Sequence, residues 1–205
     1  MQEMKQESRK EQSNRVRTEA TRNALIDAAR TLFATKGYAD TGTPEIVSAA
    51  GVTRGALYHH FADKCELFRA VVEREAETVA QRISLESVAP ESSLEGILSG
   101  ADAYFDAMSE AGRARLLLLE GPAILGVQAM EELDRRTGQA ELRQGLQSAV
   151  QSAGVKVPLD ALTAVFSAAF DRAALGIVLG GSSEDYRQAI RILAEGIPGM
   201  KAASE

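Results

Sequence analysis

"AGVTRGALYHHFADKCELF", Ala50 to Phe68, crowds a turn glycine, an Arg-Gly pair, a Tyr-His-His run and a lysine into one short stretch of an acidic chain. Just ahead of it, "TGTPEIVSAAG" places Thr43 to cap a helix and Pro44 at its first position, with Gly51 as the stop. Thr53 then caps a third helix of about seven residues, and Asp63 with Glu66 makes a capping-box-like start for a fourth running to about Ser87. Two short helices joined by a turn that tolerates left-handed backbone describe a helix-turn-helix, whose second helix enters the major groove of DNA. At about 1.5 Å per residue, seven residues span roughly 10 Å, which fits a groove about 12 Å wide.

Inside that short helix, Leu57 and Phe61 are four residues apart and can face the preceding helices, leaving Arg54, Gly55, Tyr58 and His59 free for a partner. Glycine in a helix costs roughly 1 kcal/mol relative to alanine, so Gly55 reads as a place where the backbone approaches base edges closely. Arg54 can donate a bidentate pair to guanine, whereas Thr43, Thr53, Tyr58 and Lys64 carry donors suited to phosphate oxygens.

Outward from this motif, Leu25, Ala28, Ala29, Leu32 and Phe33 recur at helical spacing and predict a first helix from Thr18 to the stop at Gly37. Residues 1–17 have almost no apolar side chains and are expected to form a flexible arm, with DNA contact through Arg9, Lys10, Arg15 and Arg17 as the sharper alternative. Beyond Pro90 the pattern stays helical, over 92–109, 112–119, 122–136, 139–153, 159–179 and 183–196. The fold class is all-α, with about nine helices. The expected domains are 18–68, helix-turn-helix, and 69–205, a helical bundle for dimerisation and effector binding, with the junction inside helix four.

The 205 residues, 45% hydrophobic and 25% charged, have the composition of an ordinary globular protein. Net charge is −6, but residues 1–68 carry ten Lys/Arg against nine Asp/Glu while the rest carry thirteen against twenty, so any nucleic-acid site is local and N-terminal. One cysteine, Cys65, and a polar start suit the cytoplasm. Residues 161–181 tempt a transmembrane reading, but Asp171 and Arg172 sit mid-segment, where each costs roughly 2.5–3.5 kcal/mol in a bilayer. No membrane association is expected, and neither a cofactor nor a metal.

The residues "AGVTRGALYHHFADKCEL" resemble the helix-turn-helix signature of TetR-family transcriptional regulators: an Ala-Gly-Val turn, a Ser/Thr cap, Leu-Tyr followed by His and Phe, and a Lys heading helix four. "TPEI" resembles the start of that family's helix two, "RNALIDAARTLFATKGY" its helix one, and "GPAILG", Gly121 to Gly126, a segment seen in many members. Val47, Ser48 and Cys65 depart from the usual pattern. The resemblance implies a homodimer on a roughly palindromic double-stranded operator, repression as the default outcome, and release by an unidentified small-molecule effector. It assigns phosphate contacts to Thr43, Tyr58 and Lys64, base or near-base contacts to Arg54, Gly55, Ala56 and His59, and support of the recognition helix to His60.

Small residues along 159–179, among them Ala161, Ala168, Ala169, Ala173 and Gly176, together with Ile190 and Leu193, are expected to form the dimer interface. Tyr104, Phe105, Met108, Leu117, Ile124, Phe166 and Phe170 could line an effector cavity, with Asp171 as polar anchor. An enzyme is not expected: adjacent helical residues such as His59 and His60 diverge, and no activated nucleophile accompanies them. A helical adaptor that has lost operator binding is the rival reading, and it predicts that Arg54 and Tyr58 are dispensable.

Overall fold

The structure, a computed structural model, describes residues 2–86, 93–154 and 156–199; Ser87, the expected end of helix four, lies outside them. Among the described residues there are ten α-helices and no strand: α1 Gln2–Lys36, α2 Thr43–Ala49, α3 Arg54–His60, α4 Lys64–Glu86, α5 Ser93–Met108, α6 Gly121–Leu125, α7 Val127–Arg136, α8 Gln139–Ala153, α9 Leu159–Val178 and α10 Ser183–Gly199. A π-helical segment, Arg115–Glu120, leads directly into α6. The chain divides into two compact units, Met1–Val72 and Glu73–Glu205, so the division falls within α4.

In the N-terminal unit, Leu25, Ile26, Ala29 and Phe33 of α1, Ile46 of α2, Leu57 of α3 and Leu67, Phe68 and Val71 of α4 are buried together. Phe68 meets Phe33 edge-on at 5.2 Å and Tyr38 at 5.0 Å. Each such side chain contributes about 1.5–3 kcal/mol through burial, which offsets the ordering of the two short helices α2 and α3, marginal alone.

Local signals set the helix starts, with one shift. Thr53 caps α3, its Oγ1 accepting from the Ala56 N–H at 3.2 Å. Asp63 Oδ1 accepts from the Glu66 N–H at 2.8 Å while the Glu66 carboxylate reaches back to the Ala62 N–H. Thr43, however, is not the cap of α2: Gly42 holds that place in extended geometry, and Thr43 is already helical. Proline tolerates the first turn generally, so Pro44 permits a start one residue earlier. Gly51, at φ +65°, makes the turn between α2 and α3.

Residues 2–17, expected as a flexible arm, are helical in α1. Low apolar content argues against packing, but Glu, Gln, Lys and Arg are strong helix formers and no Gly or Pro interrupts them.

In the C-terminal unit α5, α8, α9 and α10 each pack against the other three. Their shared core holds Ile97, Ala101 and Phe105, Leu146 and Val150, Phe166, Phe170 and Ala174, and Ile190 and Ala194. A buried ion pair joins Arg113 Nε to the Glu75 carboxylate at 2.8 Å, and the same guanidinium donates to the Ala107 carbonyl at 2.7 Å. The helix expected over 122–136 is broken at Gly126, whose φ of +90° ends α6 and starts α7. Gly121 is no stop: its N–H bonds the Leu116 carbonyl, and a side chain there would crowd that oxygen at 3.0 Å and the Met130 sulfur at 2.9 Å.

Candidate nucleic-acid interface and internal cavity

Phe61 is buried beneath the Arg22 guanidinium, which lies 5.0 Å from its ring centre, and Leu57 is fully enclosed. The opposite side of α3 leaves Thr53, Arg54, Gly55, Tyr58 and His59 exposed, with Ala56 half-buried. These residues converge. The Arg54 guanidinium lies 5.5 Å from the centre of the Tyr58 ring. Hydrogen bonds from Thr43 and then Arg54 to the Tyr58 oxygen pull that phenol below its ordinary pKa, so one polar patch joins the start of α2 to α3. Thr53 spends an acceptor on its cap and keeps its hydroxyl proton for a partner.

Gly55 is not demanded by the protein's own packing. A Cβ built there would meet nothing nearer than Thr53 Oγ1 at 3.9 Å, an ordinary contact.

Lys64, read from sequence as a phosphate donor, has two of its three ammonium protons engaged: it donates to the carbonyls of Tyr38 at 2.9 Å and Thr41 at 3.0 Å, with the Tyr38 ring centre 4.1 Å away. Those carbonyls follow the end of α1, so Lys64 clasps the α1–α2 loop, and at most one proton remains for an outside oxygen. His60 is half-buried beside His59, their ring centres 5.3 Å apart, and burial, then the charges of His59 and Arg22, push its pKa down. Among the described residues no three His, Cys, Asp or Glu side chains are grouped to hold a metal.

Within the C-terminal unit α4, α5 and α7–α9 surround a cavity of about 1280 Å³. Tyr104, Met108, Leu117, Phe170 and Asp171 line it, as does Met130; Phe105, Ile124 and Phe166 do not. Phe105 follows Tyr104 by one residue and turns instead toward a smaller hollow of about 470 Å³ beside α10. Phe166 packs edge-on to Phe170 at 6.2 Å in the core, and Ile124 sits half-buried on α6, away from the lining.

The polar groups of the cavity were only partly legible. Tyr104 donates to Asp171 at 2.5 Å, and burial, moderated by that bond, raises the Asp171 carboxyl to about 6. Asp134, not picked out from sequence, accepts from the Ser167 hydroxyl at 3.1 Å, and burial raises its carboxyl despite that bond. Nothing in the spacing of α7 marks Asp134 as inward-facing.

The α9 and α10 residues expected at a dimer interface fall into three groups. Ala173, Gly176 and Ile190 are buried within the unit, and a Cβ on Gly176 would penetrate the Tyr186 ring. Ala168 lines the cavity. Ala161 and Leu193 are exposed and Ala169 half-buried, joined by Val165 at 65% and Ile192 at 60% exposure, neither of them a small residue. α9 has the length and apolarity of a membrane span, but it packs against three other helices and its Asp171 is hydrogen-bonded to α5.

Residues 25–71 match the family model described as bacterial regulatory proteins, tetR family, and residues 94–200 match the tetracyclin repressor-like C-terminal domain. The HTH-type transcriptional regulator AcrR of Shigella flexneri is 49% identical over 53 residues, covering 26% of this chain and 25% of that protein. The HTH-type transcriptional activator FasR of Mycolicibacterium smegmatis is 28% identical over 107 residues, 52% of this chain and 49% of that protein. The chain thus aligns with between a quarter and half of the length of these two relatives. A crystal structure of a TetR-family transcriptional regulator from Pectobacterium atrosepticum superposes with a TM-score of 0.68 at 27% identity, covering 89% of this chain and 94% of that one.

Proposed function

The chain belongs to the tetR family of bacterial regulatory proteins, and we propose that it is a DNA-binding transcriptional regulator that works as a homodimer and lets go of its operator when a small molecule fills its cavity. The observation that carries this reading is the division of α3: Leu57 is buried while Arg54, Gly55, Tyr58 and His59 stand free on the other side. Burying one side against the core orients the other, so recognition needs no rearrangement.

On DNA, Arg54 reads a base edge, and Thr43, Thr53 and Tyr58 hold phosphates, with Lys64 supporting the loop that carries α2 and offering its remaining proton. Two copies related by a two-fold axis present their α3 helices to successive major grooves, roughly 34–36 Å apart, which selects a palindromic site. The exposed faces of α9 and α10, with Ala161, Val165, Ala169, Ile192 and Leu193, supply the dimer contact.

Effector binding acts as a population shift. A ligand that prefers the conformation unable to hold both half-sites draws the dimer away from DNA in proportion to that preference. Repression follows when the operator overlaps the polymerase site; the relative FasR is named an activator. A regulator of bacterial transcription works in the cytoplasm, where the DNA is.

Selection of bound sequences from random duplex DNA tests the reading. A palindromic motif is expected, with binding that falls steeply as salt rises and that Arg54→Ala weakens by about 1–3 kcal/mol. Purified protein that enriches no sequence, or an Arg54→Ala variant that binds as tightly, overturns it.

A further inference from the structure

The cavity in the C-terminal unit is chemically one-sided. Five carboxylates line it, from Glu131, Asp134, Glu141, Asp160 and Asp171, against the single guanidinium of Arg135, which is already paired with Glu132. Asp160 is paired with Arg143 at 3.0 Å. Asp134 and Asp171 are held by neutral donors only, the first by Ser167 at 3.1 Å and Gln139 at 3.5 Å, the second by Tyr104. Among the described residues neither has a cationic partner, and one buried carboxylate oxygen of Glu141 accepts no hydrogen bond from them.

Buried carboxylates without a cation are costly, and so is an unmet buried acceptor, so this lining favours a positive ligand. The rest of the lining suits the body of such a ligand. Ile97, Leu133, Leu142 and Leu175 are aliphatic, and the rings of Tyr104 and Phe170 offer faces that attract cations.

We infer that the cavity takes an organic cation with a large apolar body, its charge seated beside Asp134 and Asp171. This rests on the cavity being the effector site of the proposed regulator, and it names the class of effector. The ion displaces a proton at Asp171, whose carboxyl burial raises to about 6, and burial raises Asp134 in the same direction, in surroundings of Tyr104 on α5, Glu131 and Arg135 on α7, Glu141 on α8 and Asp160 and Ser167 on α9.

Calorimetry of the full-length protein without DNA tests this with three probes of similar shape and different charge: tetraphenylphosphonium, triphenylphosphine oxide and tetraphenylborate. The phosphonium is expected to bind at least about tenfold more tightly than the oxide, the borate not measurably, with proton release on phosphonium binding at pH 6. Asp134→Asn with Asp171→Asn should cut phosphonium affinity about tenfold or more and leave the oxide unchanged. A phosphonium that binds no better than the oxide or borate, or no binding by any of the three, overturns the inference whether or not the double variant folds. Duplex binding by the ligand-free protein, measured separately, tells the two failures apart: DNA binding without charge preference sinks only the cation, while charge preference without DNA binding sinks only the regulator.

Discussion

The Tyr104 hydroxyl on α5 donates to the Asp171 carboxylate on α9 across 2.5 Å, joining two helices of the C-terminal bundle inside its cavity. The bond lowers the Asp171 pKa, but burial is the larger influence and leaves the carboxyl at about 6, against an ordinary 3.8.

That shift makes Asp171 a pH-dependent cost. Between these two values the unfolded chain gives up its proton first, so the folded state is the better proton binder. The stability Asp171 contributes is complete below about pH 3.8 and is lost as pH rises through about 6, a swing of roughly 3 kcal/mol. Asp171→Asn keeps an acceptor for Tyr104 and cannot ionise. Its stability relative to the parent, from urea unfolding, should therefore increase between pH 4.5 and pH 7.5; a difference that stays flat would mean the carboxyl is not shifted.

Gly55→Ala separates folding from recognition. With no neighbour nearer than 3.9 Å to the new Cβ, the folded protein accepts alanine and α3 gains up to about 1 kcal/mol. Operator affinity should nevertheless fall, because the methyl projects from the exposed side of α3. Unchanged affinity in fluorescence anisotropy would remove the close backbone approach from the account.

Ala169→Arg and Leu193→Arg place a charge on the exposed faces of α9 and α10, and each should give monomers in sedimentation velocity while leaving helicity intact. Gly176→Ala is the contrast: its new methyl enters the Tyr186 ring, so it should lower the melting temperature. A Leu193→Arg dimer of undiminished strength would move the interface elsewhere.

Arg113→Met leaves the Glu75 carboxylate buried without its guanidinium and the Ala107 carbonyl without that donor. It should destabilise the C-terminal unit by about 3–5 kcal/mol, and Glu75→Met added to it should recover much of that loss. Chemical denaturation of the two variants measures both.

The sequence alone determined α2, α3 and the start of α4, because their signals are local. A cap at Thr53, a positive-φ turn at Gly51, the reciprocal Asp63–Glu66 start and the spacing of Leu57 and Phe61 all act within about one turn of helix, and together they fix which side of α3 is exposed. The one-residue displacement of the α2 cap to Gly42 is the size of error such signals allow. Only the tertiary structure decided the C-terminal unit. A run of alanines on α9 is compatible with a dimer seam, a cavity wall or an internal contact, and the chain uses it for more than one of these: Ala168 lines the cavity, while Ala173 and Gly176 are buried inside. Asp134 and Ser167 meet across 33 positions, Tyr104 and Asp171 across 67. No periodicity within one helix encodes the rotation of a neighbour, so the side chains that meet in the cavity are set by how several helices pack together rather than by the pattern of any one of them.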